Sequence, residues 1–232
     1  MNLCYLQRGE GDDLVFLHGY LSCKESFLNQ IEYFSRRYRV TALDFPGMGG
    51  ANALDSPWSV DDYADWTREA LARLGVQNAR LIAHSFGGRV AVKLLSRGGV
   101  FERAVLTGCA GIIPKRTLRY KLRVRTYRLV KKIAPRFAER KFGSSEYRTL
   151  SPVMRESYKK IVNEDLREDA ANITRPVLFL HGEKDTVTPL SSIEVYLSKI
   201  KGAQLTVLKG CGHFAFLDDP LAFNLATEEF FK

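Results

Sequence analysis

The chain has 232 residues, of which 45% are hydrophobic and 26% charged, with a formal net charge of +9. That length suits one domain with a sizeable core; the balance excludes a disordered polyelectrolyte, and no stretch is long and apolar enough to read as a membrane span. The positive charge is local: residues 111–141 hold twelve Lys and Arg against one acid, Glu139, so a chain-wide nucleic-acid surface is not the reading it supports.

Short apolar runs alternate with helical patterns. Residues 3–7 can supply an antiparallel edge strand. Leu14-Val15-Phe16-Leu17 reads as a buried strand that ends at His18-Gly19. Residues 39–43 form the next, followed by Asp44 and the turn-rich Pro46-Gly47-Met48-Gly49-Gly50. Val60, Tyr63, Ala64, Thr67, Leu71 and Leu74 make a 3.6-period stripe, and Gly75 stops that helix. Strands are expected at 80–84, 104–107, 177–180 and 204–208, and helices from just after Ser85 to Leu95, at 190–200 and at 221–231. Continuous apolar strands alternating with helices imply a mostly parallel, doubly wound sheet covered on both faces. Between residues 111 and 175 no strand pattern appears. Leu118, Leu122, Leu129 and Ile133 repeat at helical spacing, and Pro114, Pro135 and Pro152 divide the segment. The expected organisation is a core of residues 1–110 and 175–232, with a helical lid over 111–174 inserted after the strand ending near Thr107.

In such sheets ligands gather at the carboxyl ends of the strands. Ser85 stands there in Ala83-His84-Ser85-Phe86-Gly87, between a strand and a helix. Small residues two before and two after it relieve a sharp turn, and the helix start offers free N–H groups to a developing oxyanion. A serine nucleophile needs a base. His18 and His181 precede glycines at strand ends and read as turn residues. His84 points to the face opposite its neighbour Ser85. His213, on the glycine-rich loop after the last strand, can lie over the sheet. Asp185, after the strand at 177–180, is the acid that would orient it, with Glu183 and Asp44 as competitors. Asp44 more naturally pins the turn that follows it. Backbone N–H groups of Phe86 and Tyr20, with Leu21 as the alternative by one position, would form the oxyanion hole, where losing one donor typically costs about 3 kcal/mol. The four cysteines, Cys4, Cys23, Cys109 and Cys211, form no C-x-x-C pair. That spacing argues against a zinc site or a disulfide framework and suits a reducing cytoplasm; no metal and no cofactor are expected. Residues 1–13 lack a basic stretch followed by an apolar run, so no signal peptide is expected.

These motifs together resemble the α/β-hydrolase superfamily. The similarity runs through His18-Gly19, the Asp44-Phe45-Pro46-Gly47-Met48-Gly49 turn, the elbow at Ser85, residues 182–189, and Gly212-His213. Ala83 departs mildly, standing where the family's elbow usually has glycine. The resemblance implies a Ser85–His213–Asp185 triad and hydrolysis of a small-molecule ester or thioester through an acyl-enzyme. Carbon–carbon bond hydrolases share the fold. A second similarity, to the superfamily's menaquinone-pathway lyase, rests on residues 18–22 and on Ser85-Phe86-Gly87-Gly88-Arg89, and implies elimination of pyruvate from an anionic substrate. Arg89 could then touch substrate, but Gly-Gly-Arg is common after such elbows, which favours a helix-surface or structural residue; Leu21, Tyr120 and Tyr127 are further candidate substrate contacts. For the basic stretch 115–141 three readings stand: a solvated helix face, attraction of an anionic substrate, or weak docking on an anionic membrane surface. No nucleic-acid reader motif occurs, and nothing in the pattern fixes an oligomeric state.

Overall fold

A computed structural model describes residues 2–113 and 149–232. Its centre is a seven-stranded sheet: β1 Tyr5–Arg8, β2 Asp12–Leu17, β3 Tyr38–Leu43, β4 Ala79–His84, β5 Phe101–Thr107, β6 Val177–Gly182 and β7 Gln204–Leu208. The order is β1-β3-β2-β4-β5-β6-β7. Only β1 runs antiparallel to its neighbour, with Tyr5 opposite Leu43; the other pairings are parallel. The chain steps outward from β2 to β3, then returns across β2 to β4 and continues to β7. Connections from β2 and β4 therefore leave in opposite directions, and a crevice opens beyond their carboxyl ends.

Strand alternation sends side chains to two cores. Val15, Leu17, Leu81, Ala83, Leu106 and Phe179 face one layer, containing α2 (Val60–Arg73), α3 (Phe86–Arg97) and a later helix, Leu190–Lys199. Leu14, Phe16, Ile82, Val105, Leu178 and Leu180 face the other, with Phe27, Ile31, Phe34, Phe216, Phe223 and Phe231. That double burial is why the central strands read as unbroken apolar runs. Residues 27, 31 and 34 belong to a 3-10 turn, Lys24–Phe27, and to α1, Leu28–Phe34, which no periodic stripe in the sequence announces. The α2 start carries a capping box, in which Ser59 Oγ accepts from Asp62 N–H and Asp62 Oδ2 accepts from Ser59 N–H.

Between β5 and β6, α4 (Pro152–Asn163) and α5 (Arg167–Ala171) are the described helices of the inserted segment. They are fixed to the core. Trp58 N–H donates to Ser157 Oγ at 2.9 Å. Lys93 on α3 pairs with Glu164 at 2.8 Å, Asp169 at 3.1 Å and Asp61 at 3.3 Å. The basic stretch 115–141, with Tyr120 and Tyr127, lies outside the described residues. The chain continues through α6 (Leu190–Lys199), α7 (Ala215–Asp218) and α8 (Pro220–Phe231). Among the described residues no helix is long and apolar enough to cross a membrane.

Candidate active site

Ser85 is the first residue after β4 and caps α3, with φ 51° and ψ −105°. A non-glycine residue held there costs about 1–3 kcal/mol and persists only where its surroundings impose it. Its own peptide groups are clamped: Ser85 N–H donates to Thr107 O at 3.0 Å, and Ala110 N–H donates to Ser85 O at 3.3 Å. The requirement for glycine two residues on has a direct cause. Gly87 N–H donates to His18 O at 3.0 Å, and a Cβ on Gly87 would sit 2.2 Å from Leu17 O. The end of β2 lies against the start of α3 too closely for any side chain. Phe86 is the first residue of α3, where helix geometry supplies no acceptor for the N–H.

The loop after β6 presents Asp185, which is buried. Its Oδ1 accepts from Val187 N–H at 2.8 Å and Thr188 N–H at 2.9 Å, and its Oδ2 from Thr188 Oγ1–H at 2.6 Å. His213 Nδ1 lies 2.8 Å from the same Oδ2. Burial opposes ionisation, but the hydrogen bonds from His213 and Thr188 outweigh it and hold the carboxyl well below the usual carboxylate range. An ionised Asp185 places the proton of neutral His213 on Nδ1 and leaves Nε2 with its lone pair. The imidazole packs over β5's carboxyl end, since a Cβ on Gly108 would come within 2.9 Å of its Cε1 and Nδ1. Ser85 is bonded to Thr107, the preceding residue, so serine and imidazole approach the same short stretch of chain.

The competing acids are occupied elsewhere. Glu183 accepts from Gly210 N–H at 2.9 Å. Asp44 accepts from Lys24 N–H at 2.6 Å and Gly50 N–H at 2.9 Å, pinning its turn.

After β2, His18 orders the loop. Phe45 N–H donates to His18 Nε2 at 3.1 Å, which assigns the ring proton to Nδ1, and Nδ1–H donates to Gly19 O at 2.7 Å. Burial lowers the His18 pKa, so the ring stays neutral. Fixing the Gly19 carbonyl also fixes the N–H of the same trans peptide, that of Tyr20, in the opposite direction. The Tyr20 ring packs edge-on to Phe86 at 5.6 Å, and its hydroxyl donates to Met154 O at 3.4 Å. Leu21, at φ 55° and 42% exposed, lines a cavity of about 400 Å³ with Met48, Leu54, Leu150 and Met154.

Two further side chains beside the elbow are placed by the inserted segment and the His213 loop. Arg89 is buried, with Nη1 donating to Ile161 O at 2.8 Å and Glu164 O at 3.0 Å. It ties α3 to the end of α4, because the inserted segment returns over that face. His84, on the face opposite Ser85, has its ring 4.7 Å from that of His213. The His213 loop passes there, which alternation along one strand does not disclose.

A doubly wound sheet with a serine on a strained strand-to-helix turn, and a histidine–aspartate pair on later strand loops, defines the class of α/β hydrolases. The model of the alpha/beta hydrolase family matches residues 14–226, and the chain belongs to that family. Over 106 residues it is 37% identical to an (E)-2-((N-methylformamido)methylene)succinate hydrolase of Acinetobacter baylyi, a match spanning 45% of this chain and 40% of that protein. A pimeloyl-[acyl-carrier protein] methyl ester esterase of Nitrosomonas europaea is 26% identical over 93% of this chain and 94% of its own. The solved esterase EaEST of Exiguobacterium antarcticum superposes with a TM-score of 0.79 at 25% identity, covering 98% of this chain and 94% of that one. The protein is a hydrolase enzyme.

Proposed function

We propose that the protein cleaves a small-molecule carboxylic ester or thioester through an acyl-enzyme. Ser85 Oγ attacks the carbonyl carbon while His213 Nε2 takes its proton. Asp185 holds the imidazole orientation and stabilises the imidazolium. Phe86 and Tyr20 amides receive the oxyanion. The tetrahedral intermediate collapses with proton return from His213 to the departing alcohol or thiol. Water, deprotonated by the same imidazole, then releases the acid and restores Ser85.

The observation that carries the reading is the 2.8 Å Asp185–His213 pair, converging with a serine held at φ 51° on the start of α3. The esterase relative supports the bond class. The alternative of elimination from an anionic substrate loses support from Arg89, whose Nη1 is engaged by the Ile161 and Glu164 carbonyls. Four free cysteines support a cytoplasmic setting.

The test uses p-nitrophenyl esters of varied acyl length and a fluorophosphonate probe. Ser85→Ala is expected to abolish labelling and to lower kcat by about 10⁶-fold. Retention of a tenth of wild-type turnover rejects Ser85 as the nucleophile.

A further inference from the structure

His213 stands on a loop, residues 209–214, that contains two glycines, one of them at φ 75°. Such a segment has much conformational freedom to lose, and its position has to be imposed by contacts. Lys184 N–H donates to Cys211 O at 2.8 Å, and Gly212 N–H donates to Asp218 Oδ2 at 2.7 Å, fixing the loop before the histidine. At the histidine itself, His84 Nε2 lies 3.1 Å from His213 O. A carbonyl oxygen only accepts, so Nε2 carries the proton and donates it. His84 is the residue immediately before Ser85. The strand that ends in the serine therefore also holds the main chain of the histidine.

The same ring reaches the oxyanion loop. A Cβ on Gly19 would come within 2.9 Å of His84 Nδ1 and 3.6 Å of Ser85 Cβ. His84 thus sits between the Gly19 turn and the His213 backbone, backed by Phe214 at 4.9 Å and Phe216 at 5.1 Å. The ionisable groups around it are His213 on the loop after β7, Asp185 after β6 and His18 after β2. Burial, with His213 as the next contribution, pushes its pKa down to about 3. A neutral ring sets no second positive charge beside the imidazolium that His213 becomes during turnover.

We propose that His84 is a positioning residue of this site: its Nε2–H fixes the main chain of His213 relative to Ser85, and its ring backs the Gly19 turn. The inference rests on the hydrolase reading above. It assigns to the residue before the nucleophile a task that neither the serine nor the Asp185 hydrogen bond performs, since Asp185 orients the ring while His84 holds the backbone beneath it.

Two substitutions separate the donor from the packing. His84→Leu fills the space without a donor, whereas the amide of His84→Gln reaches the Nε2 position. Both are compared with wild type and Ser85→Ala in ester turnover and fluorophosphonate labelling. His84→Leu is expected to lower kcat and the labelling rate about 10- to 100-fold, with KM nearly unchanged, and His84→Gln to recover most of that loss. Wild-type rates in His84→Leu, or a glutamine variant as slow as the leucine one, overturn the proposal. A wild-type enzyme that neither turns over esters nor labels at Ser85 overturns the hydrolase reading itself. Should the leucine variant not fold, His84→Asn serves in its place. Its shorter amide does not span to the carbonyl, and it must then fall below His84→Gln.

Discussion

One methyl group separates a working turn from a displaced one at Gly87. Alanine there would push its Cβ against the carbonyls of Leu17 and His18, at 2.2 and 2.7 Å. Neither carbonyl can swing aside freely, because the His18 carbonyl accepts the Gly87 N–H and Leu17 pairs within the sheet. Gly87→Ala is therefore expected to cost about 1–3 kcal/mol of stability by overpacking. It should also slow Ser85 labelling by more than the stability loss explains, since the displaced segment leads into the Tyr20 amide. Urea unfolding and labelling rates at a temperature where the variant is fully folded measure the two effects; equal labelling of folded wild type and variant contradicts the second. At this scale the sequence is informative about placement: Ser85, Asp185 and His213 each follow a strand, and the structure pairs Asp185 with His213. It is silent where the partner comes from a crossing segment. Spacing puts Arg89 one helical turn beyond Ser85, yet only the tertiary return of α4 decides that its guanidinium meets two carbonyls. Alternation places His84 on the face opposite Ser85, as the structure has it, but gives only the face of a side chain and not the loop that crosses it.

The inserted helices depend on α3 as much as on their own sequence. Lys93, only 9% exposed, gathers Glu164, Asp169 and Asp61 from three different elements or their ends. Burial works against its charge, but hydrogen bonds to Glu164 and Asp169 prevail and lift its pKa to about 12. Lys93→Met would keep much of the volume and leave the three carboxylates without their common cation. Because Asp61 and part of Asp169 are exposed to solvent, screening reduces the loss below that of a fully buried pair, to about 1–3 kcal/mol. The loss should be local. Hydrogen exchange in α4 and α5 is expected to accelerate while amides of β4 and β5 keep their protection. Uniform acceleration across the sheet would show that the ion cluster holds the whole domain rather than the insertion. The elements themselves were legible in unequal degree. Central strands announce themselves because both faces are buried, and α2 because a cap, a stripe and Gly75 coincide. The short α1 and α7 leave no such mark, since four to seven residues carry too few turns for a periodicity to stand out.

For the molecule as a whole, acid stability follows from histidines kept neutral by burial. His18, His84 and His181 all have pKa values lowered by desolvation. In the unfolded chain each binds a proton near pH 6.5 or about there, whereas folded His84 resists until about 3. Between those limits the unfolded state holds more protons than the folded one, so stability rises with pH and falls on acidification. Asp185 works in a different window. Its lowered pKa makes its contribution complete above the unfolded carboxylate value and lost only as pH drops through the folded one. From pH 6.5 down to about 4, the histidines therefore govern the slope. Urea unfolding across that range is expected to show stability falling by up to about 1.4 kcal/mol per pH unit for each histidine kept neutral. His84→Gln retains the donor to His213 but has no proton to gain, so its curve should be flatter than that of wild type by one histidine's share. Parallel curves would mean that folded His84 titrates as it does in the unfolded chain, and that its place beside His213 is open to water.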